Sequence, residues 1–263
     1  MSSRVTAEWE ERIVPGAAAE VPFRESEMRY LFAGAFARGR TVLDLASGTG
    51  IGTHFLLQSG AKKCIGLDLD LDAVRYATVH YSDCAFAVCD GTRLCLPDGC
   101  VDLIVSFETI EHLSDMRAFF GECKRVLHND GILLCSTPNR DVTRWDGADN
   151  PFHVKEIAID EFLQLANQFF VECRLYGQSE VNYPVHVMRR CFINLMGTMH
   201  LKRALKRLLP ASPVQICAET EFSPVPVSSS AQPVRPHVPK RYKQPRYAVI
   251  VARKLGSIST LQV

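Results

Sequence analysis

Glu108, Glu111 and His112 form an E-x-x-E-H run directly after an apolar stretch at residues 101–107, and another imidazole follows at His153. If the run turns helically, positions i, i+3 and i+4 bring all three side chains to one face. Such groups can hold or move a proton. A hydroxyl that is to act as a nucleophile at neutral pH needs that help, or a Lewis-acid metal. Some 60 residues earlier, Gly48, Gly50 and Gly52 follow the apolar run 41–46, and Asp68 closes the next apolar run, 64–68. A glycine turn between strand and helix lets backbone approach a nucleotide-like ligand, because no Cβ intervenes. A carboxylate at the end of the following strand can grip two ribose hydroxyls. The G-x-G-x-G spacing is not that of the dinucleotide fingerprint.

These residues need a frame that brings strand ends together. Residues 23–38 read as an amphipathic helix with Met28, Leu31, Phe32 and Phe36 on one side, ended by Gly39. Strands at 41–46, 64–68, 85–89, 101–107 and 132–137 alternate with helices at 52–58 and 72–80 and with one capped by Ser114 that runs to Leu127. In that last helix Met116, Phe119, Phe120, Cys123 and Val126 recur at helical spacing, and residues 128–131 read as a turn. A helix at 160–168, a strand at 169–176 and a final strand at 246–253 complete the pattern. This order implies an α/β fold, a parallel, doubly wound sheet with helices on both faces. Ligands bind such sheets at the strand carboxyl ends, where the glycine turn, Asp68 and the start of the E-x-x-E-H run fall.

Charge is unevenly spread over the 263 residues. Residues 1–184 carry 17 Lys/Arg against 27 Asp/Glu, whereas 185–263 carry 13 against 2. A basic helix at 185–209 and a Pro/Ser-rich mobile loop at 210–243 separate the last two strands. The basic segment suits an anionic membrane surface, through residues 186–209, or a polyanion, as well as a plain solvated flank. The ten cysteines include no C-x-x-C pair, and Cys64, Cys89, Cys135 and Cys173 lie in strand-like runs, so reduced thiols are expected. No secretory signal and no apolar run of about 18 residues is present, which makes the cytoplasm, with peripheral membrane contact, the expected location.

Five segments resemble successive motifs of the class I S-adenosylmethionine (SAM) methyltransferases. They are Asp-Leu-Ala-Ser-Gly-Thr-Gly from Asp44, Gly-Leu-Asp ending at Asp68, the Cys-Asp-Gly-Thr-Arg-Leu-Cys-Leu-Pro-Asp run from Cys89, Val-Asp-Leu-Ile-Val-Ser-Phe-Glu ending at Glu108, and Arg-Val-Leu-x-x-x-Gly-Ile-Leu from Arg125. The resemblance implies a Rossmann-like seven-stranded sheet in order 3-2-1-4-5-7-6 with strand seven antiparallel. It implies a core over 23–184 completed by 246–263, with 1–22 as a cap segment and 185–245 as an insertion. For SAM it implies Asp44 facing the cationic amino-acid end, Gly48 and Gly50 at the tail, and Asp68 on the ribose. Asp90 would accept from the adenine amino group, with Ala46, Leu69, Gly91 and Phe107 lining the site.

The E-x-x-E-H edge, Thr137-Pro-Asn139 and the downstream His153 resemble the metal-dependent small-RNA 2′-O-methyltransferases and ubiquinone-pathway O-methyltransferases. Carried over, Glu108, Glu111, His112 and His153 would hold Mg²⁺, Mn²⁺ or Zn²⁺, and mixed carboxylate–imidazole ligation does not choose among these. Without a metal, His112 or His153, with Glu111, would supply the base. Residues 9–16 and 150–156 resemble segments of bacterial methyltransferases that act on glycans, which points to a sugar hydroxyl or a small hydroxylated metabolite as acceptor. RNA 2′-O-methylation is the alternative, and a non-catalytic SAM-binding protein a third.

Overall fold

The computed structural model describes residues 20–146, 150–178, 222–224 and 245–254. The expected cap at 9–16, the helix at 185–209 and nearly all of the Pro/Ser-rich stretch lie outside the described residues. After α1 (Glu20–Ala37) come β1 (Thr41–Leu45), α2 (Ile51–Gln58), β2 (Lys63–Asp68), α3 (Leu71–His80), β3 (Ala85–Val88) and β4 (Val101–Phe107). A 3₁₀ turn at Ile110–His112 leads to α4 (Met116–Val126), β5 (Leu127–Pro138), α5 (Arg140–Asp146), α6 (Ile159–Asn167), β6 (Glu172–Gln178), β7 (Phe222–Pro224) and β8 (Tyr247–Arg253).

The strands form one sheet in order β3-β2-β1-β4-β5-β8-β6-β7. β1 through β5 pair in parallel, and β8 enters antiparallel between β5 and β6. Without the short β7, this is the seven-stranded order expected. β7 adds an antiparallel edge to β6 at Tyr176–Gln178, inside the stretch expected to be loop.

Period-two alternation explains why both faces are covered. Leu43, Leu45, Ile104, Leu133, Cys135 and Ile250 are buried on one face with α4 and α6. Val42, Leu103, Val105, Ile132, Leu134, Val249 and Val251 are buried on the other with α1 and α2. Helix α1 presents Met28, Phe32 and Phe36 to that second face, one turn apart. On the first face Phe120 sits at the centre of an aromatic cluster, 5.6 Å from Phe119, 5.9 Å from Phe169 and 6.4 Å from both Phe162 and Phe170.

Three local expectations change. The cap of α4 is Asp115, whose carboxylate accepts the Ala118 amide at 2.9 Å, and not Ser114. Starting one residue later still keeps Met116, Phe119, Phe120 and Cys123 in the buried phase. Residues 128–131 are not a free turn but an irregularity within β5: Val101 pairs with Leu127 and Leu103 with Ile132, so five steps along β5 match two along β4. Lys254 pins the excursion, its amide donating to Gly131 O at 3.2 Å and its Nζ to Leu127 O at 2.8 Å. The helix α5, which had no sequence signal, starts as Asn139 accepts the Asp141 amide at 3.2 Å. Among the described residues, no helix is long and apolar enough to cross a membrane.

Phe120→Ala is predicted to destabilise the fold by about 3–5 kcal/mol, because the cluster around it cannot collapse into the space left. A urea titration will show this as a lowered midpoint at unchanged slope.

Candidate active site

The chain turns sharply where β1 ends. Ala46 has φ 62° and Glu108, at the end of neighbouring β4, has φ 53°. Non-glycine residues hold this left-handed conformation only where their surroundings fix it, and such positions cluster at binding and catalytic sites. Beneath the first turn Asp44 is 1% exposed. Thr53 Oγ1 donates to its Oδ2 at 2.7 Å, and Tyr30 OH donates to the same carboxylate at 3.0 and 3.2 Å. Burial pushes the Asp44 carboxyl up to about 7, against these two hydrogen bonds.

The three glycines divide their roles. Gly48 donates its amide to Asp68 Oδ2 at 2.7 Å, so Asp68 braces the turn from the next strand. Gly50 has φ 83°, and a Cβ there would stand 2.7 Å from Ala77 Cβ and 2.8 Å from the Phe86 ring. Gly52 lies inside α2 under Tyr30; a Cβ there would be 2.0 Å from Tyr30 Cζ. The third glycine therefore makes room for a tyrosine of α1. Tyr30 was not legible as a site residue, although a glycine in the first turn of an otherwise apolar helix hints at close approach from above.

Asp68 also accepts the Asp70 amide at 2.9 Å, while Asp70 caps α3 through the Asp72 and Ala73 amides. Leu69, between them, is 72% exposed on the same rim. At the end of β3, Asp90 Oδ1 accepts from the Thr92 amide at 2.8 Å and Thr92 Oγ1 at 2.7 Å, and these bonds hold its carboxyl below the ordinary value. Gly91 follows on the rim. Phe107, at the end of β4, meets the Tyr30 ring edge-on at 5.2 Å. Asp44, Ala46, Gly48, Gly50, Asp68, Leu69, Asp90, Gly91 and Phe107 thus come from the carboxyl ends of four adjacent strands.

The E-x-x-E-H run does not form one helical face. Glu108 stands apart in its left-handed conformation, with Ser136 Oγ donating to its carboxylate at 2.6 Å. Only residues 110–112 turn, as a 3₁₀ helix. Glu111 is fully buried, its Oε2 accepts Thr137 Oγ1 at 3.1 Å, and its Oε1 has no hydrogen-bond partner. Burial first, then the neighbouring Glu108, pushes its carboxyl well above the ordinary value. The Glu111 carbonyl accepts the Val154 and Lys155 amides at 2.8 and 3.0 Å, which draws the His153 segment to the strand end.

The imidazoles of His112 and His153 meet edge-on, 5.0 Å apart. His112 Nδ1 lies 3.1 Å from Phe152 O, a carbonyl that can only accept, so Nδ1 is the donor and Nε2 is left for other partners. His153 Nδ1 lies 2.6 Å from Glu156 Oε1, and its Nε2 3.0 Å from Asn150 Nδ2. Glu111, His112 and His153 place donor atoms within 4.8 Å of one another, and Glu108 is outside this group.

A buried polar wall adjoins this edge and was missed in the sequence. Arg29 Nη1 donates to Gln178 Oε1 at 2.8 Å, and Gln178 Nε2 donates to Glu25 O at 2.9 Å. Tyr247 OH donates to Glu25 Oε2 at 2.6 Å, and the Arg29 guanidinium lies 4.6 Å over the Tyr247 ring. Glu25 and Arg29 sit one turn apart on α1, a polar pair on a helix whose other buried positions are mostly apolar. An open groove of about 800 Å³ lies at the opposite rim, around Arg40, Asp102, His128 and Arg253, and shares none of these residues.

Residues 43–135 match the family model of a methyltransferase domain. A Mycolicibacterium smegmatis protein named "Probable S-adenosylmethionine-dependent methyltransferase" is 39% identical over 159 residues, 59% of this chain and 61% of its own length. Malonyl-[acyl-carrier protein] O-methyltransferase of Hahella chejuensis is 34% identical over 146 residues, 52% of this chain and 51% of that protein. The chain therefore spans about three fifths or less of the length of these relatives. Others carry the names of N- and O-methyltransferases. A SAM-dependent methyltransferase structure from Archaeoglobus fulgidus superposes with TM-score 0.58 at 14% identity, covering 96% of this chain and all of that one. The fold is that of the class I methyltransferases.

Gly52→Ala is predicted to lower stability by about 1–3 kcal/mol through the forced shift of Tyr30. The double variant Gly52→Ala/Tyr30→Ala should show coupling, costing less than the two single changes summed. Thermal unfolding of the four proteins checks this.

Proposed function

We propose that this chain is a SAM-dependent methyltransferase whose acceptor is a hydroxyl group of a glycan or small metabolite. The observation that carries this reading is the adjacency of two constellations on one rim. The braced glycine turn with Asp44, Asp68 and Asp90 offers a cradle for the adenosyl and amino-acid parts of SAM. The Glu111–His112–His153 cluster stands at the neighbouring strand end, where an acceptor oxygen would meet the methyl group. The O-methyltransferase names among the relatives are in keeping with oxygen as the attacking atom.

In this reading the acceptor oxygen attacks the sulfonium methyl carbon in line, the C–S bond breaks, and a methyl ether and S-adenosylhomocysteine result. The chain's work is alignment and removal of the hydroxyl proton. His112 is suited to take that proton at Nε2, since Phe152 O fixes its other nitrogen as the donor. Glu111, buried with its carboxyl pushed above the ordinary value, and His153, oriented by Glu156, position the acceptor.

The same donors fit a divalent cation. Glu111 Oε1 is a buried oxygen without a partner, and each imidazole directs Nδ1 at an oxygen acceptor, the outer support that metal-binding histidines use. Glu111, His112 and His153 would hold Mg²⁺, Mn²⁺ or Zn²⁺, with His153 Nε2 exchanging the Asn150 amide for the ion. When bound, such an ion would lower the pKa of the acceptor hydroxyl. The membrane reading rests on residues 186–209, outside the described ones, and the RNA reading on the basic C-terminal third together with the E-x-x-E-H edge, which serves any hydroxyl acceptor equally.

Two predictions test this reading. Folded Asp44 holds its proton more tightly than an unfolded aspartate of ordinary value 3.8, so its contribution to folding is full below that value and is lost as pH rises through about 7. A cationic ligand favours the ionised form. SAM affinity should therefore rise by up to about tenfold per pH unit below about pH 7 and level off above it. Calorimetry from pH 5.5 to 8 should find that slope, and Asp44→Asn should remove it.

Glu111→Gln should lower turnover of labelled-methyl SAM onto a glycan or small-molecule fraction by about 10²-fold or more while SAM affinity holds. Exhaustive chelation separates the two ways of activating the hydroxyl. Activity that survives it belongs to the histidine base, and activity restored by Mg²⁺, Mn²⁺ or Zn²⁺ belongs to the ion.

A further inference from the structure

A second group of metal-type ligands lies on the flank of the sheet, away from the carboxyl rim. His54 comes from α2, and Asp83 and Cys84 from the turn that leads into β3. Their donor atoms all lie within 4.8 Å of one another, with His54 Nδ1 3.1 Å from Asp83 Oδ1. The set is not loosely tethered. Tyr81 stacks on the His54 imidazole with ring centroids 5.0 Å apart, and the Cys84 amide donates to Tyr81 O at 3.0 Å to close the turn. The His54 amide donates to Gly50 O at 3.0 Å, which ties the same helix turn to the glycine loop.

We propose that His54, Asp83 and Cys84 form a divalent metal site of the zinc class that clamps α2 to the entry of β3. An imidazole nitrogen, a carboxylate oxygen and a thiolate sulfur are the ligand types zinc takes, and three protein ligands leave a fourth tetrahedral position for water. Donors 2.0–2.3 Å from a tetrahedral ion stand about 3.3–3.8 Å apart, so the His54–Asp83 pair at 3.1 Å opens slightly while Cys84, within 4.8 Å of both, stays in reach. His54 and Asp83 are open to solvent, with side chains 34% and 44% exposed, which provides the entry path. Thiolate ligation selects zinc over magnesium, calcium and manganese. Burial and the Asp83 charge push the Cys84 thiol up to about 11, so the ion must displace that proton, which leaves to solvent. Because α2 begins at the glycine turn, an ion here would stiffen the rim from behind without touching a ligand on it. The site does not depend on the methyltransferase reading.

Cobalt substitution of the full reduced chain reads this site directly. Titration of the metal-free protein with Co²⁺ should give a near-ultraviolet thiolate-to-cobalt band and the visible bands of a tetrahedral ion, and excess Zn²⁺ should erase the thiolate band. The Glu111–His112–His153 cluster has no sulfur and cannot give the thiolate band. Cys84→Ser should abolish that band, His54→Ala should weaken cobalt binding about tenfold or more, and Cys95→Ser should change neither. No thiolate band in the wild type, or an undiminished band in Cys84→Ser, overturns the proposal. Should Cys84→Ser fail to fold, unchanged cobalt affinity in His54→Ala overturns it instead.

Discussion

Asp44 is a carboxyl group taken out of water at the end of the central strand, and the architecture of the rim follows from satisfying it. Three elements converge on it: β1 carries it, α2 sends Thr53, and α1 sends Tyr30. A buried carboxylate without such partners would cost several kcal/mol, so the glycine turn, the first helix and the central strand are energetically one unit. Gly52 belongs to that unit because only a residue without Cβ lets the Tyr30 ring settle on α2. Asp68 extends it sideways by holding the Gly48 amide from β2.

The neighbouring strand end is built by the same means. Glu108 is forced into the left-handed region, tied to Ser136 on β5, and the 3₁₀ turn that follows drives Glu111 into the core. The Glu111 carbonyl then collects the backbone that carries His153. A residue far along the chain reaches the rim through main-chain hydrogen bonds, which is why the two imidazoles meet although 40 residues separate them. The Arg29 charge acts on both units: it opposes the rise at Glu111 and also bears on Tyr30.

Much of this was legible because strand ends are written locally. The alternating apolar runs gave the parallel sheet and its strand ends, and the resemblance to class I methyltransferase motifs supplied the strand order. The misses share one cause. Whether Asp115 or Ser114 caps α4, and whether residues 128–131 turn freely or bulge within a strand, depends on partners such as Lys254 that lie far off in sequence. The E-x-x-E-H spacing suggested one helical face, but a left-handed Glu108 cannot be foreseen from a pattern that assumes regular backbone. Tyr30, Glu25 and Arg29 were hidden because α1 was read for its apolar stripe alone.

We propose that this braced rim binds an adenosyl-bearing sulfonium or its product. Isothermal titration of the folded chain with S-adenosylhomocysteine tests it most directly. Saturable one-to-one binding, weakened when Asp68 is replaced by alanine, is the expected result. The absence of any binding heat, or binding indifferent to Asp68, would contradict it.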